Sequence, residues 1–177
     1  MSSLPEKSIL KFAAWLDLRS PALAERSKRW YAGFLVPFNR AVGIRVVAAE
    51  NVDGDARFAV RLKDRRSNHN AAGTVHGGAI LALAETVHGA AILWRFTPDK
   101  HRMFTKSARI DYLTPGCGEL FVEYRLSREL RERIESELAA LDRAEVAMES
   151  IVTDGIGQHV ARLNASYVIL RRRTQNK

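Results

Sequence analysis

The chain has 177 residues, 46% hydrophobic and 27% charged, which suits one domain with a proper core and requires no second boundary. Its single cysteine, Cys117, excludes an intramolecular disulfide framework and fits a reducing compartment. A formal charge of +8 admits a nucleic acid, a membrane surface, a polyanionic substrate or simply a basic surface, but aromatics at 8% and scattered basic residues argue against a nucleic-acid module.

The first 40 residues read as a helical extension. Ile9, Phe12, Ala13 and Leu16 share one helical face. Ser20–Pro21 then reads as a cap with proline in the first turn of a second helix, which passes Trp30 and Phe34 and stops at Pro37. No apolar stretch there is long enough for a signal peptide or a membrane span, so the expected location is cytoplasmic.

Residues 41–172 form the expected core. From Ile44 the period becomes two: "IRVVAAE", the turn "NVDGD" and "ARFAVRL" make a hairpin, with Phe58, Val60 and Leu62 on one face and Arg57 and Arg61 on the other. Further strands are expected at Met103–Leu113, at "ELFVEYRL", and on either side of the "DGIG" turn at Asp154–Gly157. Between them lies a short amphipathic helix, about 128–142, with Leu130, Ile134, Leu138 and Leu141 at helical spacing and an i,i+4 pair Glu129–Arg133. It reads as packing against the sheet. The tail "RRRTQNK" is basic and solvated, with 173–177 beyond the core.

One segment, about His76 to Trp94, reads as a helix without a polar face, and such a helix needs burial all round. The predicted class is therefore α+β: an antiparallel sheet of about six strands wrapped around one long central helix. Within it the octet Thr74–Leu81 recurs at Thr86–Leu93 with only Gly78 changed to Ala90. A shift of twelve residues puts the copies about 18 Å apart and about 120° out of phase, so they cannot present one face and are not a repeat unit. Only the first copy, His76–Gly77–Gly78, lies at a helix start, where free N–H groups and the helix dipole favour an anion or oxyanion. Gly77 and Gly78 also leave room for a ligand near the backbone.

Glu85 is the only acidic residue between Asp64 and Asp99. A carboxylate on an apolar helix is paired, neutralised or functional. One reading hydrogen-bonds it to His88, three residues on; the other makes it a general base or nucleophile with a pKa raised by desolvation. His76 reads as a cap or loop anchor in preference to a proton-transfer group. Gly77 and Glu85 are eight residues apart, about 12 Å along the axis, so one substrate carbonyl cannot touch both within one subunit. If both are catalytic, the chain works as a homodimer, with a tetramer as the next assembly.

The stretch "NAAGTVHGGAILALAE" (Asn70–Glu85) resembles the signature of hotdog-fold acyl-CoA thioesterases of the phenylacetate-degradation and 4-hydroxybenzoyl-CoA type. Asn70 stands six residues before His76, and Glu85 nine after it. The resemblance implies a hotdog fold over about 40–170. It implies Glu85 as the carboxylate that activates water or attacks the thioester, Gly77 N–H as the donor to the carbonyl oxygen, Asn70 positioning substrate or water, and Thr105 orienting the water. The substrate would be an acyl-CoA or acyl carrier protein thioester; CoA belongs to the substrate and no separate cofactor is implied. Arg65, Arg66, Lys106 and Arg109 are candidates for its phosphates, with Gly78 and His88 beside the substrate. No metal-ligand spacing joins His69, His76, His88, His101 and His159. The extra N-terminal helices and inserted helix place the chain nearest a poorly characterised hotdog subfamily. The competing function is a non-catalytic acyl-CoA or lipid-binding hotdog protein, against which the retained Glu85 argues.

Overall fold

The computed structural model describes residues 36–98 and 100–172; the two helices expected before residue 36 and the tail from residue 173 lie outside them. Pro37, expected to end a helix whose residues lie outside those described, begins an element of its own. It starts helix α1 (Pro37–Val42), because proline at the first helical position gives up an N–H that has no partner anyway. Helix α1 ends at Gly43, whose φ of 87° is the left-handed cap that glycine adopts without strain.

The hairpin follows as expected, β1 (Ile44–Val52) against β2 (Asp55–Leu62). Asp53 and Gly54 both have positive φ, the two-residue turn whose twist matches antiparallel strands. Phe58, Val60 and Leu62 are buried and face the core. After a short 3₁₀ turn at Arg66–Asn68 comes the long helix α2 (Gly77–Arg95), then β3 (His101–Tyr112), β4 (Leu120–Leu126), helix α3 (Arg128–Leu141), β5 (Arg143–Asp154) and β6 (His159–Arg171). The six strands form one antiparallel sheet in the order β1-β2-β4-β5-β6-β3, and α2 lies mainly against β2 and β4. The strand ends lie within two residues of those read from sequence.

Two features differ from expectation. Helix α2 is apolar enough to span a bilayer by composition, with a mean hydropathy of 1.3, yet its own sheet covers it on one side only. Ile80, Leu83, Val87, Ala91 and Ile92 are buried, while Gly78, Leu81, Glu85, Gly89 and Leu93, three or four residues apart, remain half-buried or exposed. A six-stranded sheet wraps one flank of a cylinder, not its circumference. The long strand β3 is likewise open: among the described residues it pairs only with β6, and residues 104–109 are all exposed.

The inserted helix α3 also departs in detail. Ser127 caps it by accepting from Leu130 N–H at 3.2 Å. Glu129 turns back to the backbone and Ser127 at the helix start, contacts that hold its carboxyl below the usual range. Arg133 therefore pairs forward, with Glu137 at 3.7 Å, and not with Glu129. Ile134 and Leu138 enter the core at 0% and 2% exposure. Leu141 was expected on that apolar face but is 73% exposed, because the helix ends there and Asp142 takes the left-handed cap that turns the chain into β5. Ile134→Ala should thus lower unfolding free energy by about 2–5 kcal/mol. Leu141→Ala should stay within about 0.5 kcal/mol of wild type in the same urea titration.

Candidate active site

The site begins in the loop between β2 and α2, where side chains hold the backbone. Buried Asn68 donates from Nδ2 to the Val42 carbonyl at 2.7 Å, and its own carbonyl accepts from His76 N–H at 2.7 Å. Asn70 organises the next turn: Oδ1 accepts from Ala72 N–H (2.9 Å) and Thr74 N–H (3.2 Å), and Nδ2 donates to Thr74 Oγ1 (2.9 Å). Asn and Asp side chains favour such turns because their oxygen mimics a backbone acceptor. Val75 N–H, donating to the Gly116 carbonyl at 2.8 Å, ties this loop to the segment between β3 and β4.

His76 is the N-cap of α2, its Nδ1 accepting from Gly78 N–H at 2.9 Å. The Gly77 N–H, one residue earlier, has no acceptor among the described residues. Gly77 opens onto a cleft of about 360 Å³ lined by Asn70, Thr74, Val75, Ile80 and the segment 112–116. An unpaired N–H at the positive end of a helix, on a glycine that lines a cleft, is suited to stabilise an oxyanion.

Glu85 lies eight residues further on, about 12 Å along the axis. It is half-buried on the open stripe of α2, and Thr105 Oγ1 donates to its Oε1 at 3.1 Å. The other oxygen, Oε2, has no hydrogen-bond partner among the described residues. His88 is not bonded to Glu85. It is fully buried, and its Nδ1 shares a hydrogen bond of 2.9 Å with the Tyr167 hydroxyl. Thr105 and Tyr167 are opposite each other on β3 and β6, so two neighbouring sheet residues receive two helix residues three apart. Burial, then the nearby Glu85 carboxylate, then Tyr124 raise the Tyr167 hydroxyl above its ordinary value. Burial pushes His88 down to about 4, opposed only in part by the Glu149 backbone.

The structure thus brings Glu85 to Thr105, and Asn70 to the cleft of Gly77, but leaves the two groups apart. The four basic candidates do not converge. Arg65 lies over the end of α1, near the carbonyls of Arg40 and Ala41 (3.5 and 3.4 Å). Lys106 is engaged by Glu145 at 2.7 Å and Arg109 by Asp111 at 3.2 Å. Arg66 alone of the four is exposed without a partner among the described residues. Among these residues no three His, Cys, Asp or Glu side chains gather to hold a metal. Tyr112 and Tyr167 escaped the sequence reading. Tyr167 sits in the inward register of β6 with Leu163, Ala165 and Ile169, and a hydroxyl in that series was the available signal.

Comparison with known proteins supports the fold. The family model described as "Domain of unknown function (DUF4442)" matches residues 25–169. A Pseudomonas aeruginosa protein of unknown function, PA5026, provisionally assigned as a thioesterase, superposes with a TM-score of 0.72 at 28% identity, over 82% of this chain and 94% of its own. A Shewanella oneidensis protein, also provisionally assigned as a thioesterase, gives 0.65 at 18% identity, over 82% and 96%. A Chlorobaculum tepidum protein of unknown function gives 0.71 at 14% identity, over 86% and 97%. No curated protein sequence matches the chain.

The buried histidine has a measurable consequence. The unfolded chain takes up this proton near pH 6.5 and the folded chain only near pH 4, so His88 costs stability as pH falls between those values, by at most roughly 3 kcal/mol. Denaturant unfolding from pH 7 to pH 4 should show that acid-side loss, and His88→Gln should flatten it. An unchanged slope in the variant would contradict a neutral buried imidazole.

Proposed function

As the chain belongs to this family, whose description assigns no activity, we propose from its site that it is an acyl thioester hydrolase. The substrate is an acyl-CoA or an acyl carrier protein thioester, and the setting is the cytoplasm. The observation that carries this reading is Glu85, a half-buried carboxylate on an apolar helix, oriented by the Thr105 hydroxyl and with one oxygen unpartnered. As general base, Oε2 takes a proton from water as that water attacks the thioester carbon. The carbonyl oxygen, becoming an oxyanion, is held by Gly77 N–H at the positive end of α2. Collapse breaks the C–S bond, the thiolate takes the proton back from Glu85, and the free acid leaves. As nucleophile, Glu85 would instead form an acyl anhydride that water then opens; the same residues serve both routes.

About 12 Å of rigid helix keeps Glu85 and Gly77 of one chain from a single carbonyl. The working unit we propose is therefore a homodimer in which each site takes Glu85 from one subunit and Gly77 from the other. The stripe of α2 and the edge of β3 that are open among the described residues support this, since both are surfaces that a second copy would cover. The basic surface then acts as a diffuse attraction for a polyanionic substrate, with Arg66 the one candidate left for a direct phosphate contact.

Glu85→Gln tests the reading with little change of shape. Assayed against a panel of aliphatic and aryl acyl-CoAs, kcat should fall by at least the roughly 10²–10⁴-fold of a lost general base, with melting temperature held. His88→Ala should cost less turnover per folded molecule. A stable, fully active Glu85→Gln protein would end the catalytic assignment.

A further inference from the structure

Gly77 and Gly78 open α2 with the least constrained backbone a chain can have, and nothing in their own covalent structure fixes the peptide between them. Two side chains do. The Tyr112 hydroxyl, at the end of β3, donates to the Gly77 carbonyl at 2.9 Å. At the other end of the same peptide plane, Gly78 N–H donates to His76 Nδ1 at 2.9 Å. The preceding peptide, which carries Gly77 N–H, is anchored in turn, because the His76 carbonyl accepts from Ala79 and Ile80 N–H.

The clamp also explains why residue 77 is glycine. Its φ is not in the left-handed region; instead a Cβ there would lie 2.9 Å from the Tyr112 hydroxyl and 3.0 Å from its Cζ. Tyr112 occupies the space a side chain would need.

We infer that Tyr112 is a positioning residue, which together with His76 pins the Gly77–Gly78 peptide and so fixes, across the Gly77 Cα, the rotation of the neighbouring Gly77 N–H that lines the cleft. The inference rests on the thioesterase reading for its catalytic consequence, but the clamp itself is geometric. A donor fixed before the oxyanion forms requires no reorganisation during the reaction. His76 serves here through the lone pair on Nδ1, as an acceptor and not as a proton donor at that atom.

The experiment is Tyr112→Phe, which removes one oxygen from a half-exposed side chain and leaves the core untouched. In the acyl-CoA assay kcat should fall about tenfold or more, short of the roughly 10²–10³-fold of losing an oxyanion donor outright, with KM nearly unchanged. His76→Ala should act in the same direction and combine non-additively with Tyr112→Phe, as both act through one peptide. His76→Asn, which keeps an N-cap acceptor for the same N–H, should restore most of the rate. Independently of turnover, NMR should show faster amide exchange at Gly78 and a shifted Gly77 amide resonance in Tyr112→Phe. Wild-type kcat together with unchanged Gly78 exchange would overturn the inference. If the wild-type protein hydrolyses no acyl-CoA, the functional reading fails, and the exchange measurement still decides the clamp.

Discussion

Helix α2 is apolar on every side, and one twisted sheet of six strands covers only one of those sides. Everything else in the molecule follows from that mismatch. The covered flank supplies the core, with Leu83, Val87 and Ile92 at 0% exposure against β2 and β4. The uncovered flank carries Leu81, Glu85 and Leu93, and it lies beside β3, a twelve-residue strand with a free edge. Among the described residues both an apolar stripe and an unpaired strand edge are open, two surfaces that proteins in water cover when they can. The proposed partner removes both at once and brings in the catalytic group that a rigid helix keeps away.

The carboxylate on that flank is held by the sheet, not by its helical neighbour. Thr105 and Tyr167 stand side by side on β3 and β6 and receive Glu85 and His88 respectively. Buried His88 and Tyr167 fix how α2 is rotated against the sheet, since a buried polar pair is expensive to separate. Rotation of α2 decides whether Glu85 meets Thr105. The other end of α2 is set by different means: a histidine cap, two glycines and a tyrosine from the far end of β3. A single strand, β3, thus touches both functional regions, with Thr105 at one and Tyr112 at the other.

Alternation made the strands legible in the sequence, because Phe58-Val60-Leu62 and Leu120-Val122 bury one face and leave charges on the other. The central helix was legible for its apolar run, and Glu85 for being out of place in it. His76 was recognisable as a cap from its position before two glycines. The incomplete burial of α2 was not legible, since composition records how apolar a helix is and not what covers it. Nor were the partners of His88 and Gly77. Tyr167 and Tyr112 lie 79 and 35 residues away and meet the helix only through a sheet order that places β3 beyond β6. Arg65, Lys106 and Arg109 looked free because sequence spacing does not show which carboxylate or carbonyl a long side chain finds.

The central claim is that Glu85 and Gly77 act together only across two subunits, and subunit mixing tests it most directly. Gly77→Pro deletes the N–H at the first helical position, its ring also pushing aside the half-exposed Tyr112 side chain, and Glu85→Gln deletes the base. Each homodimer should be inactive. Unfolded together and refolded at equal amounts, they should regain about one quarter of wild-type activity, because half the dimers are mixed and each mixed dimer has one intact site. Mixed dimers that form but stay inactive would mean that both groups must come from the same chain, and the shared site would be wrong.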